Sequence, residues 1–223
     1  MVLDLHVHTE ASDDSRAPVA AYLTWLIKRR DERPLEGIVL TEHRHFDLGR
    51  EFRDLEDRFG LRILRGAEIE TSYGHMLVYG IDEAIVRRFD FSDVRLPAQT
   101  VITEVARMGG VVIPCHPGRP TVGLYAHYEA SPPLDGVVAV ETLNGGSRRG
   151  EDERAAMLVR RYGYRSVGGS DAHMVSFVGT CATEFEDSIQ DEHDLVRALV
   201  AGRCHAVDYR HQATSREPGR AAD

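Results

Sequence analysis

Short apolar runs alternate along most of the chain with stretches in which apolar residues recur every third and fourth position. The runs at 2–6, 37–41, 62–69, 75–80, 111–115, 137–141, 165–169 and 204–208 have the length and flanking residues of strands. Between them, Val19, Tyr22, Leu23, Leu26 and Ile27 form one helical stripe, Phe52, Leu55 and Phe59 a second, Val101, Ile102, Val105 and Met108 a third, and Leu195, Val196 and Leu199 a fourth. Such stripes predict helix faces turned to a core. Alternation of the two patterns predicts an α/β fold with a mainly parallel sheet.

With 223 residues and no internal repeat, linker or composition break, a single domain over 1–209 is expected. From 210 onward (RHQATSREPGRAAD) apolar content nearly vanishes, which predicts a disordered tail over 210–223.

Metal-ligand residue types fall where the strand patterns stop. His6 and His8 end the first, Glu42 and His43 the second, Glu68 the third, His116 the fifth, Glu141 the sixth, and Asp171 with His173 the seventh. In parallel α/β sheets and barrels those ends gather on one face, so residues distant in sequence converge. His6 and His8 are two apart in an extended segment and therefore point the same way. Asp171 and His173 repeat that spacing after the small residues of SVGGSDAH. A lone HxH is common on surfaces, His43 alone could be a satisfied core histidine, and Asp13 alone could cap a turn. Together with His75 and His116 they exceed what packing requires.

Nine candidate ligands result: His6, His8, Asp13, His43, Glu68, His75, His116, Asp171 and His173. One ion takes four to six contacts, so two or three divalent ions are implied, and imidazole with carboxylate suits zinc, manganese or iron. Glu68 is suited to bridging because its two oxygens can serve two ions. Arg119, in the loop after His116, is a candidate phosphate ligand, with Asn144 and Arg148 of the LNGGSRR loop as weaker ones.

Composition narrows the partners. Asp plus Glu number 36 against 27 Lys plus Arg, a formal charge of −9, which disfavours electrostatic binding of long nucleic acid. Cys115, Cys181 and Cys204 form no CxxC pair, so neither a disulfide framework nor a thiolate zinc site is suggested. The N-terminus shows no signal-peptide pattern and no run is long enough to span a membrane, giving the expectation of a cytoplasmic protein without a membrane partner.

The motifs also resemble a known family. HVHTEASDD, TEH, CHPGR and GSDAH look like the successive motifs of the PHP (polymerase and histidinol phosphatase) superfamily, in order over residues 2–175. That resemblance implies a distorted seven-stranded (β/α) barrel with metals at the C-terminal ends of its strands. It implies one ion on His6, His8, Glu68 and Asp171; a second, shared through Glu68, on His75 and His116; and a third on Asp13, His43 and His173. Glu68, Asp171 and His173 would be the catalytic residues. One departure is visible, Glu42 standing where the family commonly has aspartate as an outer partner. The expected activity is hydrolysis of small phosphomonoesters by metal-activated water, with a nuclease on short oligonucleotides or nucleotide bisphosphates as the alternative. A non-catalytic module and a non-phosphate hydrolase are the remaining classes.

Overall fold

The computed structural model describes residues 1–128 and 130–211. Its strands are β1 (Val2–Val7), β2 (Gly37–His43), β3 (Arg62–Thr71), β4 (Gly74–Tyr79), β5 (Val111–Pro114), β6 (Ala139–Asn144), β7 (Arg165–Gly169), β8 (Cys181–Phe185) and β9 (Cys204–Asp208). The helices are α1 (Val19–Lys28), α2 (Arg53–Phe59), α3 (Glu83–Arg88), α4 (Ala98–Arg107), α5 (Leu124–Tyr128), α6 (Glu151–Tyr162) and α7 (Glu192–Ala201).

Seven strands form one sheet in the order β5-β4-β3-β2-β1-β8-β9, and β6 with β7 forms a separate parallel pair. Within the large sheet only β1/β2 and β2/β3 are parallel; β3/β4, β4/β5, β1/β8 and β8/β9 are antiparallel. The expected seven-stranded (β/α) barrel is therefore corrected to a mixed α/β fold with a curled half-barrel sheet. Two features cause the difference. The β3–β4 connection is too short for a helical crossover and makes a hairpin, with Gly66 opposite Tyr79 and Thr71 opposite Gly74. Strand β8 inserts beside β1, and its sequence, CATEF, is buried except at Glu184, so it lacks the alternation that marks a strand. Between β1 and the chain following β7 the ladder is reduced to an isolated bridge, Val7 to Ala172, supported by the Ser170 N–H donating to Asp4 at 2.8 Å.

The stripes of α1, α4 and α7 are buried as their spacing predicts, whereas Phe52, Leu55 and Phe59 of the second stripe are only partly buried. Val19, Tyr22, Leu23 and Leu26 of α1 are buried, and so are Val101, Ile102 and Val105 of α4. Ile27, included in the first stripe, is 40% exposed, because at 100° per residue it lies about 90° from the centre of that face. Gly60 (φ 63°) and Gly202 (φ 66°) end α2 and α7 in the left-handed conformation. Of the segment predicted to be disordered from 210, Arg210 is anchored: its guanidinium pairs with Asp152 at 2.7 Å and Asp208 at 2.6 Å. Residues 212–223 lie outside the described residues.

Candidate metal centre

Strands β1, β2, β3 and β4 and the turns after β5 and β7 bring eight of the nine sequence candidates together. His6 lies in β1 and His8 just beyond it, and both are fully buried. Glu68 sits inside β3 rather than at its end, because the hairpin prolongs the strand to Thr71, and it pairs in register with His43 of β2. Beyond β7 the chain must pass close to β1, and a side chain at Gly169 would come within 2.5 Å of the His6 Cβ. Three residues at the site have positive φ: Arg44 (53°), His116 (31°) and Asp171 (53°). Non-glycine residues adopt this region rarely, so surrounding contacts must hold them there.

Glu68 organises the arrangement. Its Oε2 lies 3.0 Å from His6 Nε2, 3.2 Å from His8 Nε2 and 3.3 Å from His43 Nδ1. Its Oε1 lies 2.8 Å from His75 Nδ1 and 3.0 Å from His116 Nε2. Asp171 Oδ1 completes the first set, 3.5 Å from His6 Nε2 and 3.4 Å from His8 Nε2. Three groups have ligand atoms close enough to share an ion: His6, His8, Glu68 and Asp171; Glu68, His75 and His116; and His8, His43 and His173. The donor set fits divalent cations. His8 Nε2 is buried and close to two carboxylates, yet makes no hydrogen bond, as expected of a nitrogen whose lone pair is directed at a cation.

Without metal these contacts work as ion pairs. Burial acts to lower the pKa of His6 and His8, but the surrounding carboxylates outweigh it: Glu141, Asp171 and Glu68 hold His6 well above the ordinary histidine value, and Asp171 and Glu68 hold His8 at about 9. Glu68 is pushed well below the carboxylate range by its imidazoles despite a burial cost, and burial lowers His43. A group with a raised folded pKa stabilises the metal-free fold fully below the unfolded value near 6.5, and that contribution is lost as pH rises through about 9. A metal ion must therefore displace the His8 proton anywhere below pH 9. Affinity is expected to rise about tenfold per pH unit for each proton displaced, up to about pH 9. Calorimetry in buffers of different ionisation enthalpy checks this, and binding without proton release at pH 7 would contradict it.

Outer contacts fix the ligands. Glu141 Oε1 accepts from His6 Nδ1 at 2.9 Å, which turns Nε2 toward Glu68, and Oε2 accepts from the His116 backbone N–H at 2.7 Å and Asn144 Nδ2 at 2.8 Å. Glu42 is fully engaged as an outer partner. It accepts from the Thr9 N–H at 2.9 Å and from the Thr9 and Ser12 hydroxyls at 2.5 and 2.7 Å, while Ser12 Oγ lies 3.3 Å from His8 Nδ1. Glutamate in place of aspartate thus braces the His8 turn. The Tyr22 hydroxyl reaches the backbone carbonyls of His8 and Ala172, at 2.7 and 3.0 Å, across the β1–β7 seam. The roles of Glu141, Ser12 and Tyr22 were not evident in the sequence, although Glu141 stood at a predicted strand end.

Arg119 reaches the site from the loop after His116. Its Nη2 donates to Asp171 Oδ2 at 2.6 Å and Asn144 Oδ1 at 3.0 Å. Asp13 is corrected: its side chain is exposed and pairs with Arg44 at 2.7 Å. The neighbouring Asp14, itself 48% exposed, is the one that reaches the imidazoles, with Oδ2 3.2 Å from His43 Nε2 and 3.0 Å from His173 Nε2. Two adjacent aspartates in a turn point to opposite sides, and spacing alone does not say which points in. Asp14→Asn is therefore expected to weaken the most loosely held ion by about 10- to 100-fold, with Asp13→Asn near wild type. Metal titration of both variants checks this, and the reverse ranking would contradict it.

The PHP-associated family model matches residues 150–204, from the turn before α6 to the start of β9. This match lies alongside the four motifs, whose histidines and acids meet at one cluster. The chain thus resembles the PHP superfamily in its motifs and, over residues 150–204, in sequence. Solved structures share this chain's fold at low identity. PsfC from Pseudomonas syringae PB-5123 is 20% identical with a TM-score of 0.66, covering 93% of this chain and 91% of its own. A protein from Bifidobacterium adolescentis assigned as a metal-dependent phosphoesterase is 17% identical, with a TM-score of 0.54 and coverage of 88% and 95%. The lesion-specific endonuclease EndoQ of Pyrococcus furiosus is 15% identical with a TM-score of 0.61, covering 92% of this chain and 57% of its own.

Proposed function

We propose that this chain is a metal-dependent phosphoesterase of the PHP superfamily acting on small phosphomonoesters. The observation that carries the reading is Glu68, buried between two sets of imidazoles with one oxygen toward each, beside an arginine already oriented by Asp171. A carboxylate so placed would hold an ion on each side with His6, His8 and Asp171 and with His75 and His116; zinc, manganese or iron would suit these ligands, and the three groups would accommodate two to three ions. Bound there, such ions supply a lowered water pKa and positive charge at phosphoryl oxygens near neutral pH.

The chain's own residues complete the site. Glu141 holds the His6 ring in one orientation, so its ligand nitrogen need not be reorganised during turnover. Asp171 and Asn144 use only Nη2 of Arg119, and Nη1 has no hydrogen-bond partner among the described residues, leaving a charged donor for a phosphate oxygen. Burial of His6, His8, Glu68 and His116 keeps water from competing for these contacts. The phosphoesterase assignment of the Bifidobacterium protein supports this reaction class, and the Pyrococcus enzyme makes a nuclease the second reading. The charge of −9 favours a substrate gripped locally over one held along many phosphates. A cytoplasmic setting belongs to the same proposal, and no helix among the described residues is long and apolar enough to cross a membrane.

The test is a screen of manganese- and zinc-loaded protein against phosphomonoesters, dinucleotides and lactones. Phosphate release from monoesters, abolished by chelator and restored by metal, is the expected result. Activity on lactones alone would overturn the phosphoesterase assignment.

A further inference from the structure

A cavity of about 380 Å³ lies between α5 and the C-terminal half of α6, lined by Tyr125, Tyr128, Tyr162, Met157, Leu158, Arg160 and Arg161. None of these residues is a candidate metal ligand. Glu151 at the start of α6 faces Arg119, whereas residues 157–162 lie about 9 to 16 Å further along the helix at 1.5 Å per residue. The cavity is therefore separate from the metal centre.

Its aromatic wall is built rather than incidental. The Tyr128 ring meets Tyr162 edge-on at 5.0 Å, and Tyr162 stacks on Tyr164 at 5.5 Å. The Tyr128 and Tyr164 hydroxyls share a hydrogen bond of 2.8 Å, and the Leu134 backbone N–H donates to Tyr128 at 3.0 Å. Rings already immobilised this way lose little freedom when a ligand packs on them. Met157, 39% exposed, adds an adaptable apolar surface to the same wall.

Arg160 and Arg161, both exposed, also line the cavity, and neither has a carboxylate partner among the described residues. Some surface arginines, such as Arg62, Arg65 and Arg203, are paired and others, such as Arg58 and Arg149, are not among the described residues; what distinguishes Arg160 and Arg161 is the tyrosine-walled cavity they line. The Arg161 guanidinium lies 5.3 Å from the centre of the Tyr162 ring. Basic residues in a last helical turn suit the helix dipole, which explains the charge but not the tyrosine-walled cavity beside it. On a chain of net charge −9, an anion is repelled from most of the surface and favoured where positive charge is uncompensated.

The geometry points to a binding site for a planar heteroaromatic ring carrying a phosphate, of the size and chemistry of a mononucleotide. The ring lies against Tyr125, Tyr128 and Tyr162, and the phosphate meets the guanidinium forks of Arg160 and Arg161. A volume of 380 Å³ falls within the range of small-ligand sites. The inference stands independently of the phosphoesterase reading.

Calorimetric titration of chelator-treated protein, which keeps the cavity but cannot turn over phosphomonoesters at the metal centre, with AMP, adenosine and ribose 5-phosphate tests it. AMP is expected to bind, with adenosine and ribose 5-phosphate each at least about tenfold weaker, since each keeps only one half of the recognition. The double variant Arg160→Ala, Arg161→Ala and the cavity-filling Met157→Trp should each weaken AMP by at least about tenfold, with turnover of phosphomonoesters by the metal-loaded protein unchanged. No AMP binding up to about 5 mM would overturn the inference. So would AMP affinity unaltered in both variants, which would place the nucleotide elsewhere, or ribose 5-phosphate binding as tightly as AMP.

Discussion

Glu68→Gln is expected to remove at least one metal ion per chain and to lower kcat/KM by about 100-fold or more, a loss of roughly 2.7 kcal/mol in transition-state stabilisation. The reason lies in where the side chain sits. Glu68 is the one residue shared by the His6, His8, Asp171 group and the His75, His116 group. It is 1% exposed and held in register opposite His43, so no water or neighbouring acid can take over. Glutamine keeps one acceptor oxygen and replaces the other with an N–H₂ group, which must face one set of imidazoles as a donor and cannot ligate a cation. Elemental analysis with steady-state kinetics reads both effects, and circular dichroism verifies the fold. Normal metal content and turnover would remove Glu68 from the centre of the account.

Arg119→Ala should separate substrate binding from metal binding. Loss of one charge-assisted donor is expected to lower kcat/KM by about 10- to 150-fold, or roughly 1.5 to 3 kcal/mol, while the metal count stays as in the wild type. Metal retention is expected because Arg119 contacts Asp171 through Oδ2, whereas Oδ1 is the oxygen facing His6 and His8. Arg119→Lys should recover only part of the loss, because an ammonium lacks the planar fork that serves Asp171, Asn144 and a phosphate together. Unchanged kinetics in Arg119→Ala would refute this role and leave the reaction class standing.

Much of the site could be read before the fold was known, and the residues show why. His6 with His8 needed only the period of an extended chain, whereas Asp171 and His173, in a turn where Asp171 is left-handed, were legible through the tendency of strand ends to gather. Glu68 was recognisable by type but placed near a strand end, because the hairpin turn at Ser72 and Tyr73 prolongs β3 to Thr71. The curled half-barrel was not foreseen, because that hairpin and β8, whose buried residues carry no period-two signal, stand where a barrel was expected. Asp14 was missed because the choice between adjacent acids is made by the tertiary position of the turn, braced by Ser12 on Glu42. Glu141 and Tyr22 act through hydrogen bonds to ligands far away in sequence, which no local pattern reveals.

Stepwise return of metal to chelator-treated protein, with bound metal and phosphate release from a phosphomonoester measured on the same samples, tests the central claim most directly. Phosphate release should be absent without metal, appear as the groups sharing Glu68 fill, and level off at two to three manganese or zinc ions per chain. Protein that binds this complement, keeps its fold and releases no phosphate from any monoester or diester would contradict the account.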